Sequence, residues 1–231
     1  MSRDQLISLV NSNTPQPASP KVALPVITVA GELTFHINGE EVHAFHVPRA
    51  HTDGDLLVHF RQSDVVHMGD TFFNGSYPFI DVSSGGSADG IVAAADRVLA
   101  LATEKTKIIP GHGPLASKAD LQAYRDLVAT VSQRIRDLRR DGKSDADIRA
   151  AQPAADFDAR YGKGFIKPEL FVQMMLAAVP RKTSLPDPCK AGARSTRRRK
   201  FRPKVPTAEA DNLKTRRGYP AQKKHFLLTV N

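Results

Sequence analysis

"PRAHTDGDLLVHFRQSDVVHMGD", residues 48–70, decides how the chain is read. Within it "DLLVHF" (55–60) and "DVVHMG" (64–69) are short runs rich in branched and aromatic residues, joined through Arg61–Asp64, the pattern of two neighbouring strands in one sheet. His51 stands just before the first run and Asp70 just after the second. Toward the N-terminus, "LTFHI" (33–37) alternates apolar Leu33, Phe35 and Ile37 with Thr34 and His36. Asn38-Gly39 then signals a tight hairpin into "EEVHAFHV" (40–47). Four strands this close together predict a single sheet.

Toward the C-terminus the period changes from two to 3.6. "SADGIVAAADRVLALA" (87–102) places Ile91, Ala94 or Ala95, Val98 and Leu101 on one stripe, with Ser87 as candidate cap. A short strand, "TKIIP" (106–110), runs into "GHGP" (111–114). A long helix follows, capped by Ser117, with Leu121, Tyr124, Val131, Ile135 and Leu138 on one face and Gly142 as its stop. Two shorter helices are expected near 145–151 and 168–178. The sheet-then-helix order gives an α+β fold class.

The net charge of +9 suggests nucleic acid until it is divided by position. Residues 181–231 hold 15 basic against three acidic residues, whereas residues 1–180 hold 18 against 21. The predicted folded part is therefore mildly acidic. The expected organisation is an extended, proline-rich lead-in (1–24), a globular domain (25–180) and a basic, disordered tail (181–231). In that tail Arg197, Arg198, Arg199 and Lys200 are candidate contacts for nucleic acid or another polyanion, set against the plainer reading of a solvated tail. The lone Cys189 excludes an intramolecular disulfide and a cysteine-rich zinc site. No run is long and apolar enough to span a membrane, and no signal peptide is visible, so no membrane partner is expected and the default compartment is cytoplasmic.

His51, Asp70 and His112 share one address: each lies where an apolar strand gives way to a Gly- or Asp-rich loop. A hydrolytic zinc site needs neutral imidazoles and anionic oxygen with one coordination position left open, and these residue types suit it. The plain alternative is three loop polar groups satisfying the backbone. Asp53 and Asp55 are candidates to orient the His51 imidazole, or simply turn and cap residues. His36, His43, His46, His59 and His67 read as strand-surface or core histidines, with His59 and His67 as possible neighbours across a hairpin.

"PRAHTDGD", "VVHMGDTFFNG" and "IIPGHGP" together resemble the C-terminal half of the metallo-β-lactamase superfamily, in order, context and spacing. The resemblance implies half of an αββα sandwich. It implies that His51 binds a first zinc, that Asp70 bridges two and acts in catalysis, and that His112 binds the second. It also implies zinc-dependent hydrolysis of a small-molecule substrate, a lactam, ester or thioester. "FFNGSYPFIDVSSGGS" (72–87) is expected to line the pocket. The family's His-x-His-x-Asp-His motif is absent from this sequence. The chain thus reads as one that begins near the family's middle, with two protein ligands per metal, an uncovered sheet face, and a complementary N-terminal half or a second copy as its expected partner. The competing expectation is a non-catalytic remnant whose basic tail binds polyanions.

Overall fold

The computed structural model describes residues 27–179 and Phe226–Leu227. The expected lead-in (1–24) and nearly all of the basic tail, including Arg197, Arg198, Arg199 and Lys200, lie outside the described residues. The strands are β1 (Thr28–Val29), β2 (Glu32–Ile37), β3 (Glu40–Val47), β4 (Asp55–Phe60), β5 (Val65–Phe73), β6 (Lys107–His112) and β7 (Phe226–Leu227). The helices are α1 (Ala88–Leu101), α2 (Lys118–Arg140), α3 (Asp145–Ala150), α4 (Asp158–Tyr161) and α5 (Pro168–Ala178), with single 3-10 turns at Val82–Ser84 and Ala155–Phe157.

Five strands form one sheet in the order β2-β3-β4-β5-β6, and β1 pairs separately with β7. The first three pairings are antiparallel, and β5–β6 is parallel, crossed over by α1. Asn38 and Gly39 both have positive φ (53° and 75°), the backbone that a two-residue hairpin matched to strand twist requires. Ser87 caps α1 and Ser117 closes a capping box with Asp120 on α2. Gly142, at φ 77°, follows the end of α2.

The two faces of the sheet differ. Phe45 pairs with Leu57, and these residues join Val66, Met68 and Ile108 in a buried cluster with Ile91 and Val98 of α1, Leu121, Tyr124 and Val131 of α2, and Phe171 of α5. On the opposite face the register runs Leu33–Ala44–Val58–His67–Ile109 in one row and Phe35–Val42–Phe60–Val65 in the next. None of those residues belongs to the buried cluster, and all but Ala44 retain some exposure. Among the described residues the five-stranded sheet thus carries helices on one side, an α+β arrangement. Phe45 does not share a face with Phe35, Val58 and Phe60. Phe45 lies three residues past Val42, hence on the other side of the pleat, and is 1% exposed.

Two strands run further than their sequence pattern suggests. β5 continues through Gly69 to Phe73, and β6 reaches His112, because the parallel pairing resumes beyond a bulge with Phe73 opposite His112. Asp70 and His112 are therefore strand residues rather than loop residues.

Candidate functional site

The bulge in β5 sets the direction of Asp70. Gly69 adopts φ 54°, the register to β6 shifts on both sides of it, and the Thr71 hydroxyl donates to the Met68 carbonyl at 2.8 Å across the kink. Asp70 then lies over Gly111 of β6. A Cβ at residue 111 would fall 2.2 Å from Asp70 Oδ1 and 2.6 Å from the Gly69 carbonyl carbon, so only glycine lets the carboxylate reach this position.

His51 comes from the loop between β3 and β4, which is pinned to the segment before α1. The Asp81 amide donates to the His51 carbonyl at 2.9 Å, the Ser87 amide to the Ala50 carbonyl at 3.0 Å, and the Ser87 hydroxyl to the Arg49 carbonyl at 2.8 Å. His51 Nδ1 lies 2.8 Å from the Phe79 carbonyl, which can only accept, so Nδ1 carries the proton. The lone pair of a neutral ring is thereby left on Nε2, which faces Asp70 Oδ2 at 3.7 Å. His112 approaches from the other side, its Nε2 3.4 Å from Asp70 Oδ1. Its ring stacks on Phe73 with centroids 4.7 Å apart and planes 22° apart. The His112 carbonyl accepts from the Asn74 amide at 2.9 Å, and paired bonds between Ile108 and Ala116 close the loop behind it. The His51 side chain is 15% exposed, whereas Asp70 and His112 are 42% and 48% exposed and open to solvent.

The structure therefore brings the three sequence-predicted residues together, with Asp70 in the middle and a different oxygen turned to each imidazole. Two ligands on one tetrahedral zinc, each bonded at about 2.0–2.1 Å, stand about 3.3 Å apart. The observed nitrogen–oxygen separations of 3.4 and 3.7 Å are close to that spacing. Among the described residues no three His, Cys, Asp or Glu side chains converge as a metal-holding group. The donor types, two imidazoles and one shared carboxylate, suit zinc but form two His–Asp pairs rather than a three-donor group.

Asp55 accepts from the Thr52 amide (2.9 Å) and the Thr52 hydroxyl (3.1 Å), capping its own loop. Burial pushes its carboxyl pKa up, against the Thr52 bonds and the nearby His51. Asp53 acts through its backbone, its amide donating to the Ser84 carbonyl and its carbonyl accepting from His46 Nε2. Asp55 also interacts with the His51 backbone, while the partner of the His51 ring at Nδ1 is the Phe79 carbonyl. A backbone carbonyl has no signature in sequence. Of the segment 72–87, Phe72, Tyr77 and Ile80 are buried core, with Tyr77 stacked on Phe171 at 4.0 Å, while Phe73 is buried against His112. Phe79 is partly buried, its ring 5.7 Å from His51. His59 faces His43 across the β3–β4 ladder, with His67 offset opposite Val58. Burial and the neighbouring Arg61 lower the His59 pKa. Sequence reasoning missed Phe165, whose ring lies 6.2 Å from His112.

The family model of the metallo-beta-lactamase superfamily matches residues 3–112, a segment that contains His51 and Asp70 and ends on His112. Among solved structures, the chain is similar to a metallo-beta-lactamase from Pontibacter korlensis at 18% identity, covering 54% of each chain with a TM-score of 0.41. It is also similar to the sec-alkylsulfatase Pisa1 from Pseudomonas sp. (16% identity, 64% of this chain and 25% of that one, TM-score 0.47) and to the DIM-1 metallo-beta-lactamase (22%, 43% and 46%, 0.37). The chain spans about half the length of the first of these. No curated protein matches it.

Proposed function

From the premise that residues 3–112 match the metallo-beta-lactamase superfamily, which includes hydrolases, we propose that His51, Asp70 and His112 are zinc donors of a hydrolytic centre acting on a lactam, ester or thioester. The observation that carries this reading is the carboxylate of Asp70, whose two oxygens face two different imidazole nitrogens at 3.7 and 3.4 Å. Zinc bound there would polarise a carbonyl and make water a nucleophile near neutral pH. The chain's own residues would do the rest. Phe79 fixes the His51 tautomer, so that Nε2 stays available as a donor atom. Asp70, open to solvent on one side, would orient the attacking water by accepting its hydrogen bond. Val82 and Leu115 are exposed apolar residues on the loops that carry His51's partner segment and His112, and they suit a partly apolar substrate. The remaining donors would come from a complementary half or a second copy.

The test is elemental zinc analysis of the reconstituted protein together with turnover of an ester, a thioester and a lactam, for wild type and Asp70→Ala. Zinc and turnover present in wild type and lost together in the variant support the reading; turnover that survives without zinc or without Asp70 sinks it. The lack of a converging three-donor group among the described residues favours the second reading, a non-catalytic chain. Under that reading Arg197, Arg198, Arg199 and Lys200 would hold a polyanion, and a salt-sensitive shift of a nucleic-acid probe with no zinc uptake is its signature.

A further inference from the structure

We propose that Phe165 is a positioning residue for His112, closing with Phe73 an aromatic clamp that holds the imidazole toward Asp70. This rests on the reading of His112 as a donor. The His112 ring lies flat on Phe73 at 4.7 Å, and Phe165 meets it at 6.2 Å, tilted by 55°. The two phenyl rings are 6.4 Å from each other, so the imidazole is bordered by both. A side chain 48% exposed to water keeps several rotamers unless something limits them, and rings at these distances and tilts attract in preferred geometries.

Phe165 is held in place by a chain of contacts that begins on the site's own side. The Tyr77 hydroxyl donates to Asp158 at 2.6 Å and to the Ala154 carbonyl at 3.2 Å, and the Tyr77 amide donates to the Tyr161 carbonyl at 3.2 Å. These bonds fasten α4 to the segment that leaves β5. Gly164 then packs so closely on Ser76 that a Cβ there would fall 2.7 Å from the serine Cβ. Ile166, 2% exposed, anchors the next residue in the core. Between those two fixed points Phe165 is turned to His112. Phe165 and its flanking anchors Asp158, Tyr161, Gly164 and Ile166 lie beyond residue 112, where the family match ends, so the clamp's second jaw comes from a part of the chain outside that match.

The experiment compares Phe165→Leu, which keeps apolar bulk but removes the ring, with Phe165→Tyr, which keeps the ring. The metal-independent readout is the His112 ring-proton resonances, assigned by their loss in His112→Ala. Phe165→Leu should move them toward the free-histidine position and leave the melting temperature nearly unchanged, while Phe165→Tyr should hold them in place. Zinc affinity should fall about tenfold in Phe165→Leu and recover in Phe165→Tyr. Unmoved His112 resonances in Phe165→Leu, or a tenfold loss shared by the tyrosine variant, would overturn the clamp. If wild type takes up no zinc, the hydrolase reading fails while the resonance shift still decides this one.

Discussion

Replacing Gly111 by Ala should separate the strands that build the site. The added Cβ would meet three atoms at once: Asp70 Oδ1 at 2.2 Å, the Gly69 carbonyl carbon at 2.6 Å and its oxygen at 2.7 Å. Ordinary carbon contacts settle at about 3.5–4.0 Å, so the shortfall is about 1 Å. The Asp70 carboxylate can rotate away, but the Gly69 carbonyl is backbone, and β6 is held from behind by the Ile108–Ala116 bonds and by Asn74 on His112. Overpacking of this kind costs roughly 2–3 kcal/mol. For a protein of this size each kcal/mol lowers the melting temperature by about 2–4 °C, giving a fall of roughly 4–12 °C. Gly142→Ala is the control, since φ there is 77° but nothing lies within 4 Å. It carries backbone strain alone, about 1 kcal/mol. Thermal unfolding followed by circular dichroism reads both, and zinc uptake should weaken in Gly111→Ala only. A Gly111→Ala loss no larger than that of the control, with zinc uptake intact, would refute the close approach of β5 and β6 at Asp70.

Asp55→Asn tests electrostatics. Because burial raises the folded carboxyl pKa above its unfolded value, the neutral form is favoured in the fold, and stability is lost as pH rises through the folded pKa. The amide should therefore melt higher than wild type near pH 7, with the gain vanishing below about pH 4; an equal loss at both pH values would mean that the Thr52 bonds matter and the charge does not. On the open face, Phe35→Thr with Phe60→Thr should reduce self-association in light scattering at little cost in melting temperature. Phe45→Thr, on the helix-covered face, should cost roughly 3–5 kcal/mol, and similar behaviour of the two would contradict the assignment of faces.

The elements were legible where local chemistry decides them. Asn38-Gly39 can only turn, Ser87 and Ser117 can only usefully cap, and the stripe through Leu121, Tyr124 and Ile135 can only face a core. Legibility failed where two outcomes share one local pattern. "EEVHAFHV" is apolar at both parities, at Val42 and at Phe45, so which face is covered depends on the pairing register. Gly69 reads as a strand end but is the hinge of a bulge, beyond which Phe72 is buried in the core and Phe73, equally buried, stacks its ring on His112. Residue types marked His51, Asp70 and His112. Their orienters, the Phe79 carbonyl and the Phe165 ring, are set by tertiary packing, one through an atom that every residue has and the other from more than 50 positions beyond His112.

The way Asp70 divides its oxygens makes a prediction about stoichiometry. His51 faces Oδ2 and His112 faces Oδ1, so each imidazole shares a different edge of the carboxylate. If each edge holds its own zinc, His51→Ala and His112→Ala should each remove one cation and leave the other site's affinity nearly unchanged, and the double variant should combine the two losses additively. Asp70→Ala, which takes away both edges, should match the double variant. If all three side chains instead shared one ion, either histidine variant would lower affinity for the only cation present, and the double variant would add little, because residues that act on one centre are not additive. Competition with a metal-binding dye, read alongside elemental analysis, separates the cases through the number of zinc ions lost per substitution. A single zinc in wild type that both histidine variants abolish would mean that the side chains move together on binding and that the two-edged geometry of Asp70 is not the one the metal selects.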